Sequence, residues 1–134
     1  MANNYIDLLN EIREKRRSND LNGALEITKK AMEMSPLAHD AYFQYGLIND
    51  DLKNFEESVS GYTKCIELFP DFSVADKGSP NALYYLKDFL SGAYYNRGLI
   101  LYFELGKKEE GREDWKKAAE LGHDNAEEAL EKCP

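Results

Sequence analysis

Ala31-Met32-Glu33-Met34-Ser35-Pro36 and Cys65-Ile66-Glu67-Leu68-Phe69-Pro70 are two copies of one pattern: small, apolar, Glu, apolar, any residue, Pro. Their prolines lie 34 residues apart, and a fixed period of this size is the mark of stacked supersecondary units. The agreement continues upstream. Lys30 and Lys64 precede the two copies, and Leu21, Ala24 and Leu25 align with Phe55, Ser58 and Val59. Tyr42, Tyr45 and Gly46 stand about one helix and a turn before the second copy.

This pattern resembles the tetratricopeptide repeat, a helix-turn-helix unit of 34 residues. The second unit, His39 to Phe72, carries it best: Tyr42 as the first aromatic, Tyr45-Gly46 for Leu-Gly, then Phe55, Ser58, Tyr62, Cys65 and Pro70. The first unit, Tyr5 to Ala38, keeps its second helix but has Glu11-Ile12 in place of Leu-Gly, as suits a terminal unit with one neighbour. A third unit, about 91–122, begins at Tyr94-Tyr95-Asn96-Arg97-Gly98 and continues through Gly111, Asp114-Trp115 and Lys117-Ala118-Ala119-Glu120-Leu121. It has one extra residue between Gly98 and Gly111, and Gly122 replaces the closing proline. The resemblance implies an all-α fold: three such units in a right-handed alpha-alpha superhelix, or solenoid, forming one domain over 1–134.

An insertion, about 73–90, separates the second and third units. Residues 73–78 read as a loop. Ser79-Pro80 then reads as an N-cap followed by Pro at the first helical position. No strong breaker follows before Gly106, so one long helix of about 25 residues is expected, with a stripe at Leu83, Leu86, Phe89 and Leu90. After Gly122, Asp124-Asn125-Ala126-Glu127 reads as a capping box, Asp124 at the N-cap, opening a seventh helix over about 124–132 that caps the array.

Composition agrees with helices. The chain has 134 residues, with ten β-branched ones against sixteen Leu, fifteen Glu and twelve Ala. Its 17 Lys and Arg against 25 Asp and Glu leave a net charge of −8, which argues against nucleic acid or an anionic membrane as partner. No apolar run approaches the roughly 18 residues of a membrane span. The first residues lack a basic segment followed by an apolar one, and two cysteines, Cys65 inside a helix and Cys133 at a frayed end, do not suggest a disulfide. A reducing, cytoplasmic setting is the expectation.

No residue set suggests catalysis, a metal or a cofactor. His39, in a turn between units, and His123, beside a cap, are isolated. The carboxylate pairs Asp50-Asp51, Glu56-Glu57 and Glu109-Glu110 are sequence neighbours, which point apart on a helix.

The resemblance instead implies a concave groove lined by the first helix of each unit, and a non-catalytic adaptor or scaffold that binds a peptide or helix of another protein. Helical spacing places Leu9, Arg13 and Arg17, with Asn10, in the groove from the first unit. The second contributes Phe43, Gln44, Leu47 and Asp51, the third Tyr95, Asn96, Leu99, Tyr102 and Phe103. Phe43, Leu47 and Leu99 suit packing between repeats equally well, and both readings stay open. Arg13, Lys15, Arg16 and Arg17 form a basic cluster that suits either a bound carboxylate or the negative end of a helix dipole. The clamp by which some family members hold a chaperone's C-terminal carboxylate corresponds here to Leu9, Arg13, Gln44, Gly92 and Asn96; with one cation left, that activity is not expected. An alternative is self-association, as a homodimer, through the long helix around 80–105, with the groove filled by the chain itself.

Overall fold

In the computed structural model, residues 4–69 and 80–134 are described, the side chains of 80–86 excepted. Among them are seven helices and no strand: α1 (Tyr5–Arg17), α2 (Leu21–Met34), α3 (His39–Asp51), α4 (Phe55–Leu68), α5 (Pro80–Phe103), α6 (Lys108–Glu120) and α7 (Asp124–Lys132). They gather into two compact bodies, Met1–Leu68 with α1 to α4 and Phe69–Pro134 with α5 to α7.

In the first body, short polar side chains start the helices. The Asn4 carboxamide accepts from the Asp7 N–H at 2.9 Å, and Asp20 accepts from the Gly23 N–H at 3.0 Å, each satisfying a donor that lacks an intrahelical partner. Helix α3 begins after Ala38, which has no capping side chain. Tyr5 of α1 fills the gap, its hydroxyl oxygen accepting from the Ala41 N–H at 3.0 Å. Thus α1 caps α3 while Leu8, Leu9, Ile12, Ala24, Ile27, Ala31, Ala41 and Ile48 close one apolar core.

The turn inside each hairpin repeats too. Asn19, Lys53 and Gly106 all have positive φ, at 62°, 63° and 68°. The closing backbone bond spans five residues in the first two turns, Asp20 N–H to Lys15 C=O and Asn54 N–H to Asn49 C=O. It spans six in the third, Lys107 N–H to Leu101 C=O. The extra residue expected between Gly98 and Gly111 therefore lies in the turn after α5, and the helices keep their register. Glycine relieves the left-handed strain where the turn is longest.

In the second body α5 starts at Pro80 as expected and ends at Phe103; Ser79, the loop at 73–78 and the side chains of Leu83 and Leu86 lie outside what is described. Gly122, at φ 93°, ends α6, and the following His123 N–H returns to the Ala118 carbonyl. The capping box is a correction. His123, not Asp124, is the N-cap of α7, and no side chain caps it. Asp124 is already helical, so its carboxylate contributes charge to the first turn instead. The chain end is not frayed. Arg112 donates to the carbonyls of Leu130 and Cys133, and Tyr102 donates to that of Pro134. Cys133 packs beside Tyr102, Trp115, Ala118 and Ala126.

Candidate functional site

The first helices of the hairpins were expected to supply a partner-binding face, and in the first body two of them bring polar side chains together. Arg13, Arg16 and Arg17 fall at i, i+3 and i+4 on α1, hence on one face. They line a cavity of about 330 Å³. Arg16 Nη1 donates to Gln44 Oε1 of α3 at 3.1 Å, and Gln44 is only 8% exposed. Arg13 is exposed and reaches Asn10 Oδ1 at 3.4 Å; Arg17 is exposed and pairs with Glu14 at 2.8 Å. Lys15, Arg16 and Arg17 also occupy the last turn of α1, where cations offset the dipole, so the two readings of this cluster coexist.

Leu9, at 6% exposure, is a core residue between α1 and its neighbours. Phe43 is half-buried, its ring edge-on to Tyr62 at 5.7 Å, and Leu47 is half-buried. The sequence reading named Arg16 in the basic cluster but not among the groove-lining residues, yet its side chain is bonded to a side chain of α3. Its spacing from Arg13 was the available signal; its bond to Gln44 depends on how the helices cross and has no signature in the chain.

In the second body the expected residues turn toward α7. Tyr95 stacks on His123 at 4.3 Å, Leu99 packs beside Trp115 and Ala126, and Tyr102 is 8% exposed with its ring 5.0 Å from Trp115. Asn96 is half-buried, and Phe103 is exposed. A second concavity, about 520 Å³, is lined by Lys87, Asp88, Ser91 and the turn from Leu121 to Asn125. Its charges are mixed. His123 sits there with its pKa lowered, chiefly by burial, against the opposing pull of Asp88 and Asp124.

Side chains across the hairpins explain the packing. A Cβ on Gly46 would meet the Tyr62 ring at 2.7 Å, and one on Gly98 would meet Trp115 at 2.7 Å. Ser58 bridges its hairpin by donating to the Gly46 carbonyl at 2.6 Å. Small residues on one helix thus receive aromatic rings from the next, the arrangement of a helical-hairpin repeat protein.

The tetratricopeptide repeat model matches residues 39–72 and 91–121. The chain carries tetratricopeptide repeats over these two stretches. Among solved structures, the first TPR of Spaghetti (RPAP3) bound to the HSP90 peptide SRMEEVD is similar at 22% identity and a TM-score of 0.74, covering 96% of this chain and 88% of that one. YrrB, a TPR protein with an unusual peptide-binding site, matches at 16% identity and a TM-score of 0.48, over 96% of this chain and 92% of that one. No curated protein matches the sequence. The first likeness establishes the fold, a tetratricopeptide helical-repeat array. The repeats make the chain a protein-interaction module by class.

Proposed function

We propose that the chain is a non-catalytic adaptor that holds a peptide or helix of another protein against α1 and α3. The carrying observation is the Arg16 to Gln44 bond, which joins the arginine face of α1 to α3, the helix that also carries half-buried Phe43 and Leu47. Guanidinium groups offer oriented donors for a peptide's carboxylates or carbonyls, and the apolar neighbours give a side chain somewhere to pack. That the first TPR of Spaghetti (RPAP3) holds a peptide supports the class of ligand. Its HSP90 peptide itself is not carried over, because Leu9 and Gly92 stand where a carboxylate clamp needs polar or cationic groups. Free thiols at Cys65 and Cys133 suit a reducing cytoplasmic setting.

The test is capture from cell extract by wild type beside an Arg13→Glu, Arg17→Glu variant. Both side chains are exposed, so helicity and melting should change little. A partner retained by wild type and lost by the variant supports the reading. Equal capture by the two proteins overturns the assignment of this face.

A further inference from the structure

We infer that the cavity of Arg13, Arg16 and Arg17 receives a phosphorylated side chain of the partner peptide. This rests on the α1 and α3 face being the binding face. Three guanidiniums line one open depression from positions i, i+3 and i+4 of a single helix face. Their existing partners are weak or neutral. Arg13 has only the long contact to Asn10, and Arg16 is held by an uncharged amide. Among the described residues neither forms an ion pair, and Arg17 shares the exposed Glu14. Arg16 Nε is shielded from solvent with no acceptor among the described residues. A buried donor without an acceptor is a standing cost, which a turn of the guanidinium toward a ligand oxygen would remove.

The number of oxygens decides between ligands. One carboxylate is planar and satisfies one fork, whereas a phosphoryl group presents three strong acceptors and close to two negative charges. Three forks suit the latter. The charge count is compatible: of the three cations only Arg17 pairs with a carboxylate, Glu14, and Asp40 of α3 lies within electrostatic reach of Arg13. The acidic chain, at −8 overall, disfavours a run of phosphates such as RNA while leaving room for a single one. Gln44 fixes Arg16 before the ligand arrives, so less side-chain freedom is lost on binding.

The experiment is fluorescence polarisation with three pools of short labelled peptides, alike except for a central phosphoserine, serine or glutamate. The phosphoserine pool should bind at least about tenfold more tightly than the serine pool, with glutamate between them. The exposed-residue variant Arg13→Gln, Arg17→Gln should erase that difference, and Arg16→Lys, which keeps the charge but loses the fork, should reduce it. Equal binding of the phosphoserine and serine pools overturns the inference, as does a preference that survives both variants. Inorganic phosphate competing as well as the phosphoserine peptides would also overturn it, since the peptide would then add nothing. The adaptor reading fails separately. A partner that survives phosphatase treatment of the extract yet is lost with Arg13→Glu, Arg17→Glu removes the phosphate and leaves the binding face. Equal capture by that variant removes both.

Discussion

The hairpins α1–α2 and α5–α6 close by opposite means. In the first, the position that carries glycine in the other hairpins holds Ile12, and the position that carries a ring holds Thr28; both are fully buried. Thr28 turns its hydroxyl back to the Ala24 carbonyl of its own helix at 2.7 Å, so nothing polar crosses between the helices at that position. In the third hairpin Gly98 faces Trp115, and backbones approach so closely that a Cβ on Gly111 would meet the Gly98 carbonyl at 2.8 Å. There a buried ion pair also crosses: Arg97 Nε and Nη2 donate to the two oxygens of Asp114, both at 2.7 Å. The middle hairpin, α3–α4, has the glycine and the ring but crosses with the Ser58 hydroxyl instead. The same register thus admits bulk on either helix, provided the partner position is small.

The largest effect should come from breaking the buried, doubly bonded ion pair of the third hairpin. Asp114→Ala removes both of those bonds from a largely buried Arg97 and leaves Glu110 as the α6 carboxylate acting on it, an expected loss of about 3–5 kcal/mol by urea unfolding. Burial works against the Arg97 charge, and the bonds from Asp114 more than offset it, so its pKa is raised. In the middle hairpin, Tyr45 and Gly61 fill the corresponding positions. Asp114→Gly combined with Arg97→Tyr should therefore recover much of the loss. A double variant no better than Asp114→Ala would show that the hairpins are not interchangeable.

A smaller effect is expected from transplanting the first solution into the second. Gly46→Ile alone pushes a branched side chain into the Tyr62 ring, an overpacking cost of about 1–3 kcal/mol. Adding Tyr62→Thr, which copies Thr28, should restore part of it. A double-mutant cycle on thermal unfolding reads the coupling; strict additivity would separate the two positions and break the comparison.

How much of this was legible follows from period and direction. The 34-residue spacing gave the hairpins, their register and even the extra residue before Gly111, because small and aromatic residues must recur where helices touch. Arg97 and Asp114 were visible as charges on a packing register, but their pairing needs the crossing of α5 over α6, which no local pattern encodes. The proposed binding face was half legible. Helical spacing put Arg13 and Arg17 on one side of α1, whereas the stacking of Tyr95 on His123 and the packing of Leu99 and Tyr102 near Trp115 and Ala126 follow from where the last helices dock. Asp124 misled because its spacing to Glu127 fits a capping box, while Gly122 and His123 already complete the turn.

The smallest effect concerns that docking, in which a histidine takes part, unlike the docking of α3 on the first hairpin. His123 stacks on Tyr95 with its Nδ1 shielded and unpartnered among the described residues. Burial lowers its pKa below 6.5, and Asp88 and Asp124 only partly oppose this. A histidine depressed in the folded state binds its proton more readily when unfolded, so stability rises with pH in this window. The contribution is whole above 6.5 and is lost as pH falls from there toward the lower folded value. It should be modest, since the ring is only partly buried and water screens it. Trp115, the single tryptophan, is fully buried in the same body and reports its unfolding by fluorescence. The melting temperature should fall between about pH 7.5 and pH 5.5, and His123→Phe, which keeps a ring on Tyr95, should flatten that fall. The lowered pKa of Asp40 lies in a more acidic range and in the other body, so it does not enter this window. An unchanged slope in His123→Phe would mean that protonation does not oppose the stack, and the docking of α7 would then rest on Arg112, Tyr102 and the apolar contacts alone.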